Sequence, residues 1–247
     1  MAKENIIYGI HPVIEAIRSG QEIEKVLIQA GLRGDAIIEL NKLLRDNLIP
    51  FQQVPVQKLD RVVRGNHQGI IAFVSQINYQ NITQVIPMLY EQGRIPFLLI
   101  IDRVTDVRNF GAIARTAECA GVDAIIIPSK GAAQINEDAV KTSSGALLQI
   151  TVCRDNNLKD VITFLQESGI RVIAVTEKSE DFYFKEDYTI PVALILGSEE
   201  DGISPAYLKM ADSLVKIPLE GNIESLNVSV AAGVTMYEVV RQRRNVK

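Results

Sequence analysis

Over the first 75 or so positions, short apolar runs alternate with apolar residues at helical spacing. Val13, Ile14 and Ile17 form a stripe behind Pro12, which sits just inside a helix start, and Gly20 closes that helix. Lys25–Gln29 reads as a strand. Asp35 then caps a helix in which Ile37, Ile38, Leu40, Leu43 and Leu44 recur on one side. Phe51–Val54 and Gly69–Ser75 read as further strands, with Val56–Arg64 helical between them. Together they predict a small α/β module over residues 1–76. The next stretch, 77–95, holds polar Asn78-Tyr79-Gln80-Asn81, a short helix and then Gly93-Arg94-Ile95-Pro96, and reads as a linker, with packing of its helix on either neighbour as the alternative.

From residue 96 the rhythm changes. Phe97-Leu98-Leu99-Ile100-Ile101 is an unbroken apolar run, the mark of a strand covered on both faces of a parallel sheet. Ala124–Ile127, Arg171–Val175 and Val192–Leu196 repeat it, with helical patterns at Asn109–Ala120, Leu158–Glu167 and Leu226–Arg244. Strands alternating with helices predict a second α/β domain with a parallel sheet over 96–247.

Composition narrows the class. The chain has 247 residues, 47% hydrophobic and 23% charged, which suits one large or two modest globular domains. No run reaches the roughly 18 to 20 apolar residues of a membrane span, and Met1-Ala2-Lys3-Glu4-Asn5 lacks a secretory pattern. Cys119 and Cys153 form no C-x-x-C pair, and with only His11 and His67 beside them a structural zinc site has few ligands. The expectation is a cytoplasmic protein without a metal. The net charge of −4 argues against gripping nucleic acid by bulk positive charge. Residues 1–94 nevertheless carry 10 Lys+Arg against 9 Asp+Glu, while 95–247 carry 16 against 21. An RNA partner would therefore be held by the first segment and a few local arginines.

None of the 16 glycines forms a G-x-G pair, no Gly-Lys-Ser/Thr occurs, and G-x-S-x-G is missing, so dinucleotide, P-loop and hydrolase readings lose their support. Three polar clusters remain, each following a strand, where open α/β sheets build their sites. Asp102–Arg115 holds Asn109 at the helix cap, then Gly111 and Arg115, near an end that favours anions. A capping Asn, a packing Gly and an Arg paired on the surface would explain it equally. Leu194–Ile203 opens from a strand into Gly197-Ser198-Glu199-Glu200-Asp201-Gly202, where Gly197 allows close backbone approach and one carboxylate could bind a hydroxyl, an amine or a cation. Val215–Ala231 runs from a strand ending at Pro218 into a helix near Leu226. Ser225 is its cap candidate, and Asn227 and Ser229 are polar residues in its opening turn.

In this order and at these separations, the clusters resemble the SpoU (TrmH) family of RNA ribose 2′-O-methyltransferases, within the SPOUT superfamily. The resemblance rests on Asn109-Phe110-Gly111 with Arg115, on Leu196-Gly197-Ser198-Glu199 with Gly202, and on Ile217-Pro218-Leu219 with Ser225–Ala231. Tyr8-Gly9-Ile10-His11-Pro12-Val13 and Asn66-His67-Gln68-Gly69-Ile70 resemble the substrate-binding domain of the subgroup that methylates a guanosine in 23S ribosomal RNA. The resemblance implies a parallel-sheet domain tied in a trefoil knot, preceded by a small α/β RNA-binding domain. It implies an S-adenosylmethionine pocket at Gly197, Ile217 and Leu226. It also implies catalytic roles for Asn109, Arg115 and Glu199, and substrate or supporting roles for Ser225, Asn227 and Ser229. Arg115 is a poor base, since a guanidinium offers N–H donors and no acceptor. Binding the adjacent phosphate and stabilising a developing alkoxide suit it better. Arg61, Arg64 and His67 are candidates to meet RNA phosphates, with a solvated helix face as the alternative. Arg241, Arg243 and Arg244 complement the dipole of the last helix. A homodimer is implied as well. Transfer RNA as substrate, and a non-catalytic RNA-binding protein that kept the fold, stand as the other readings.

Overall fold

The computed structural model of the chain describes residues 6–133, 135–198, 200–223 and 225–244. They form two compact units, one of residues up to 78 with Ile135–Glu137, the other of Tyr79 onward without those three.

The first unit runs β1 (Ile6–Tyr8), α1 (Ile10–Arg18), β2 (Ile23–Gln29), α2 (Asp35–Asp46), β3 (Phe51–Val54), α3 (Val56–Val62) and β4 (Ile70–Val74). Its sheet has the order β1-β4-β2-β3, antiparallel on both sides of β4 and parallel between β2 and β3. Alternate residues of a strand face opposite sides, and the sequence exploits this. Val26, Ile28, Ile70 and Ala72 meet the stripes of α1 and α2. Leu27 and Ile71 turn the other way, onto Val54 and Leu59 of the α3 side. Asp35 is the first residue of α2 rather than its cap. Gly34, at φ 132°, takes the cap position, and the Asp35 carboxylate lies in the first turn, where the helix dipole favours it.

The second unit continues with α4 (Ile82–Glu91), β5 (Phe97–Ile101), α5 (Val107–Ala120), β6 (Ala124–Pro128), α6 (Glu137–Thr142), β7 (Thr151–Asp155), α7 (Leu158–Glu167), β8 (Arg171–Val175), β9 (Val192–Leu196), α8 (Pro205–Met210), β10 (Ser213–Val215) and α9 (Val228–Arg244). Six strands in the order β10-β8-β9-β5-β6-β7 pair in parallel. All five residues of β5 and of β9 are buried, as a sheet covered on both faces requires. The helix inside the 77–95 segment is α4, and its Ile82, Val85, Ile86 and Leu89 sit in the core of this unit with Leu98, Ile126 and Val172. That segment is thus packed structure with an apolar stripe of its own.

Two further helix starts differ from the sequence expectation. α5 is capped by Asp106, whose side chain accepts from the backbone N–H of Arg108 and Asn109 at 2.8 Å each, so Asn109 lies in the first turn. α9 starts at Val228 with Asn227 ahead of it. Gly111 lets α5 approach α6: a Cβ there would stand 2.8 Å from the Cβ of Thr142. Arg243, in the last turn of α9, does far more than complement a dipole. Its guanidinium donates to the carbonyls of Tyr188 (3.0 Å), Ile95 (2.8 Å), Pro96 (3.0 Å) and Ile190 (2.8 Å), where the chain enters β5 and β9. Burial draws its pKa below the usual arginine value.

Among the described residues no helix is long and apolar enough to cross a membrane, and no group of three His, Cys, Asp or Glu side chains could hold a metal ion.

Candidate active site

From β5 the sheet order is β6-β7 to one side and β9-β8-β10 to the other, so the crevice beyond the carboxyl ends of β5 and β9 lies at a switch point, where open α/β sheets bind ligands. The two ends are fastened to each other, with the Asp102 N–H donating to the Leu196 carbonyl at 2.8 Å. Beside them opens a cavity of about 510 Å³, walled by the segments that follow β8 (Val175–Lys178), β9 (Leu196 to Ile203) and β10 (Ile217, Leu219), and by the start of α9. That volume falls in the usual range for small-molecule pockets of about 300–1,000 Å³.

Gly197 explains how the second wall folds. Ser198 and Gly202 pair as a short antiparallel bridge, with N–H···O distances of 3.2 and 3.1 Å, which doubles the chain back against residue 197. A Cβ at 197 would lie 2.1 Å from the carbonyl carbon of Gly202, so only glycine fits. The turn is then clamped from β5. Asp102, buried at the strand end, accepts from the Ser204 N–H at 2.7 Å and from Arg103 Nε at 3.2 Å. Arg103, at φ 59°, also donates to Asp201 at 3.2 Å. Asp201 is therefore half of an ion pair rather than a freely solvated acid, and it lines the cavity together with Glu200. Sequence reasoning missed this clamp. Its one signal was a carboxylate directly after a five-residue apolar run, a place where an unpaired charge is costly.

The residues expected to bind a cofactor, Gly197, Ile217 and Leu226, all line this cavity, as do Ser225 and Asn227. Ser225 is not the cap of α9. Asn227 is, because its Oδ1 accepts from the Ser229 N–H at 2.9 Å and from the Ser229 hydroxyl at 2.5 Å. With Oδ1 so engaged, Nδ2 faces away and donates to Asn109 Oδ1 at 3.1 Å. One side chain thus caps α9, borders the cavity and joins the third cluster to the first, 118 positions earlier. Ser229 stands behind it, outside the wall. Asn227→Ala is expected to cost about 1 kcal/mol of stability, and Asn227→Asp, which keeps an oxygen for the Ser229 N–H, to restore most of it. Guanidinium chloride unfolding checks this; equal losses in the two proteins would remove the capping role.

Arg115 is exposed on α5, makes no hydrogen bond or ion pair among the described residues, and does not reach the cavity wall. Glu199 lies outside the described residues. Thr176, Glu177 and Lys178 line the cavity without having been singled out. Their only signal was their place after a buried strand.

In the first unit, Arg61 and Arg64 are exposed at and just beyond the end of α3. His67 does not join them as an RNA contact. It is buried, Nδ1 accepts from the Gly69 N–H at 3.0 Å, and Nε2 therefore carries the proton and donates to Asp60 at 3.0 Å. The two N-terminal motifs meet at this turn: the Gly9 N–H donates to the Ile70 carbonyl at 3.0 Å and the Ile10 N–H to Gln68 Oε1 at 3.2 Å.

Comparison with known proteins agrees with this arrangement. Residues 96–237 match the SpoU rRNA methylase family, and residues 6–80 match the RNA 2′-O ribose methyltransferase substrate-binding family. A Staphylococcus saprophyticus protein assigned to the TrmH family of tRNA/rRNA methyltransferases is 35% identical over 241 residues, covering 98% of this chain and 97% of its own. Among solved structures, the AdoMet-bound rRNA methyltransferase from Sinorhizobium meliloti superposes with a TM-score of 0.62 at 24% identity, over 96% of this chain and 86% of that one. The A. aeolicus TrmH/SpoU tRNA-modifying enzyme does so with a TM-score of 0.58 at 28% identity, over 66% of this chain and 85% of that one. The chain belongs to the SpoU rRNA methylase family: it is an RNA methyltransferase that carries a 2′-O ribose methyltransferase substrate-binding domain ahead of its parallel-sheet domain.

Proposed function

We propose that the protein transfers a methyl group from S-adenosylmethionine to the ribose 2′-hydroxyl of a guanosine in 23S ribosomal RNA. The observation that carries this is the convergence of the second and third clusters on one cavity, with the Asn227–Asn109 hydrogen bond joining the first cluster to it. The cavity suits the cofactor: Leu196, Ile217, Leu219 and Leu226 offer apolar surface to an adenine, Gly197 brings backbone to the wall, and Glu200 favours a cationic sulfonium. When bound, S-adenosylmethionine supplies an activated methyl group on that sulfonium. The chain's task is then alignment, which by itself removes much of the barrier to an in-line displacement.

We assign Asn109, which accepts a hydrogen bond from the cavity residue Asn227, to the incoming ribose, together with the cavity residue Ser225. Glu199 follows Ser198 in the sequence and is the carboxylate we assign to the reaction. Arg115 stands clear of the wall, so its work is on the RNA: it holds the neighbouring phosphate and stabilises the alkoxide as the hydroxyl proton leaves. Arg115→Ala is accordingly expected to lower turnover by about 100-fold, the scale of one oxyanion donor, with S-adenosylmethionine affinity unchanged. Calorimetry beside an initial-rate assay separates the two, and full activity would remove the role.

Ribosomal rather than transfer RNA is favoured by the first unit. The Sinorhizobium rRNA enzyme aligns over 96% of this chain and the A. aeolicus tRNA enzyme over 66%. A homodimer is supported by apolar side chains left open around the start of α9, with Ile223 77% exposed and Val230 51% exposed. The test is methyl transfer from labelled S-adenosylmethionine to unmodified 23S rRNA and to tRNA in parallel, with Asn109→Ala as control and nucleoside mass spectrometry of the product. 2′-O-methylguanosine in the rRNA alone is the expected result; label in tRNA moves the substrate, and label in neither despite cofactor binding defeats the reading.

A further inference from the structure

The turn where the two N-terminal motifs meet presents a surface that the methyl-transfer chemistry does not explain. β1 ends at Tyr8, paired with Ile71 of β4, and 44% of Tyr8 is exposed. The ring lies beside Gly65. Gly65 is not in the left-handed region, so its backbone would accept other residues. A Cβ built on it would meet the tyrosine ring at 3.5 Å, in ordinary contact, and a longer side chain would lie along the ring and cover it. What glycine provides at 65 is bare ring, not a bend.

The surroundings are fixed firmly. His67 bonds to Gly69 and Asp60 through its two nitrogens, and Gln68 is held at φ 50°, a strained value for a residue with a side chain. Gln68 in turn accepts from the Ile10 N–H, the residue two after Tyr8. Around this turn the exposed charges are Lys58, Arg61 and Arg64 against the single Asp60, a local cation surplus in an acidic protein.

We infer that the Tyr8 ring is a stacking platform for an unpaired base of the RNA substrate, with Arg61 and Arg64 meeting the flanking phosphates. This rests on the RNA-methyltransferase reading above and adds the class of RNA that the first unit takes: a loop, bulge or end rather than a continuous duplex, whose base faces are hidden in the stack. Stacking on an aromatic ring tolerates any base, since every base has a π face. The platform therefore contributes affinity for exposed single strand and leaves the choice of nucleotide to the second unit.

The experiment uses the full-length protein and a short single-stranded RNA carrying one 2-aminopurine, whose fluorescence falls when it stacks. The wild-type protein and Tyr8→Phe are expected to quench it at low salt. Tyr8→Ala is expected to bind about 10-fold more weakly with the quench lost, the scale of one base stacked on a side chain. Gly65→Leu, which keeps Tyr8 but covers it, is expected to do the same, and it guards against a folding defect in Tyr8→Ala. Absence of quench with wild type, or wild-type quench with Tyr8→Ala or Gly65→Leu, would overturn the inference. The methyl-transfer assay on the same preparations keeps the two ideas apart. Quench without transfer to either RNA sinks the catalytic reading and leaves the platform; transfer without quench does the reverse.

Discussion

Gly197→Ala is expected to abolish S-adenosylmethionine binding while most of the protein stays folded. The new methyl group would sit 2.1 Å from the Gly202 carbonyl carbon, 2.2 Å from the Ile203 nitrogen and 2.4 Å from the Gly202 oxygen, all backbone atoms that cannot swing aside as a side chain can. Relief requires opening the Ser198–Gly202 bridge and pulling the turn off the cavity, against the Asp102–Ser204 and Arg103–Asp201 contacts that hold it. A loss of at least about 100-fold in affinity, or about 3 kcal/mol, is the expected scale. Gly202→Ala is the control. Gly202 has φ +66° and open space where a Cβ would go, so the cost there is conformational strain alone, about 1 kcal/mol. Titration calorimetry of the two proteins decides the matter: equal affinities would show that crowding at 197 is not what shapes the turn.

The second large effect lies at the opposite end of the central strands. Arg243→Ala removes a charged donor from four carbonyls, of which that of Pro96 keeps the Val192 N–H, and frees the end of α9, since the same guanidinium reaches Tyr188, Ile95, Pro96 and Ile190. Hydrogen bonds from a charged donor are worth about 1.5–3 kcal/mol each, but these share one half-buried group and water can replace some of them, so about 3 kcal/mol in all is a reasonable scale. In a chain of this size that lowers Tm by about 10 °C. Arg243→Lys should recover less than half, because an ammonium cannot span four acceptors as the planar fork does. Cofactor affinity measured well below Tm should change little, since Gln242 still ties α9 to the Tyr188 N–H and the Glu186 carbonyl. A Tm within experimental error of wild type would show that water satisfies those carbonyls equally well.

The parts of the fold that sequence made legible are those whose signal is local. The runs at β5 and β9 are apolar throughout because both faces are covered, and the stripes of α1, α2 and α7 recur at helical spacing. The edge strand β7 escaped notice because only Val152 and Cys153 of its five residues are buried and Arg154 and Asp155 break the run, and the strand expected to end at Pro218 ends at Val215, as β10. At the candidate site, the glycine and the polar residues following the strands were visible as departures from the apolar pattern. Their connections were not. Asp102 to Ser204, Arg103 to Asp201 and Asn227 to Asn109 each span about a hundred positions, and nothing in the local sequence announces a partner that far away. Capping shows the same limit. Asp106, Asn109, Ser225 and Asn227 are all competent caps by type, and the choice of Asp106 and Asn227 follows from where tertiary packing begins each helix.

α9 is pinned at both ends, by Asn227 at the cavity and by Arg243 where β5 and β9 begin. It is also the last element in chain order, and chains emerge from the ribosome N-terminal part first. During synthesis the sheet and the three walls that follow β8, β9 and β10 can therefore assemble before α9 supplies the fourth. The cavity is thus closed by the docking of α9, in one late step rather than by degrees.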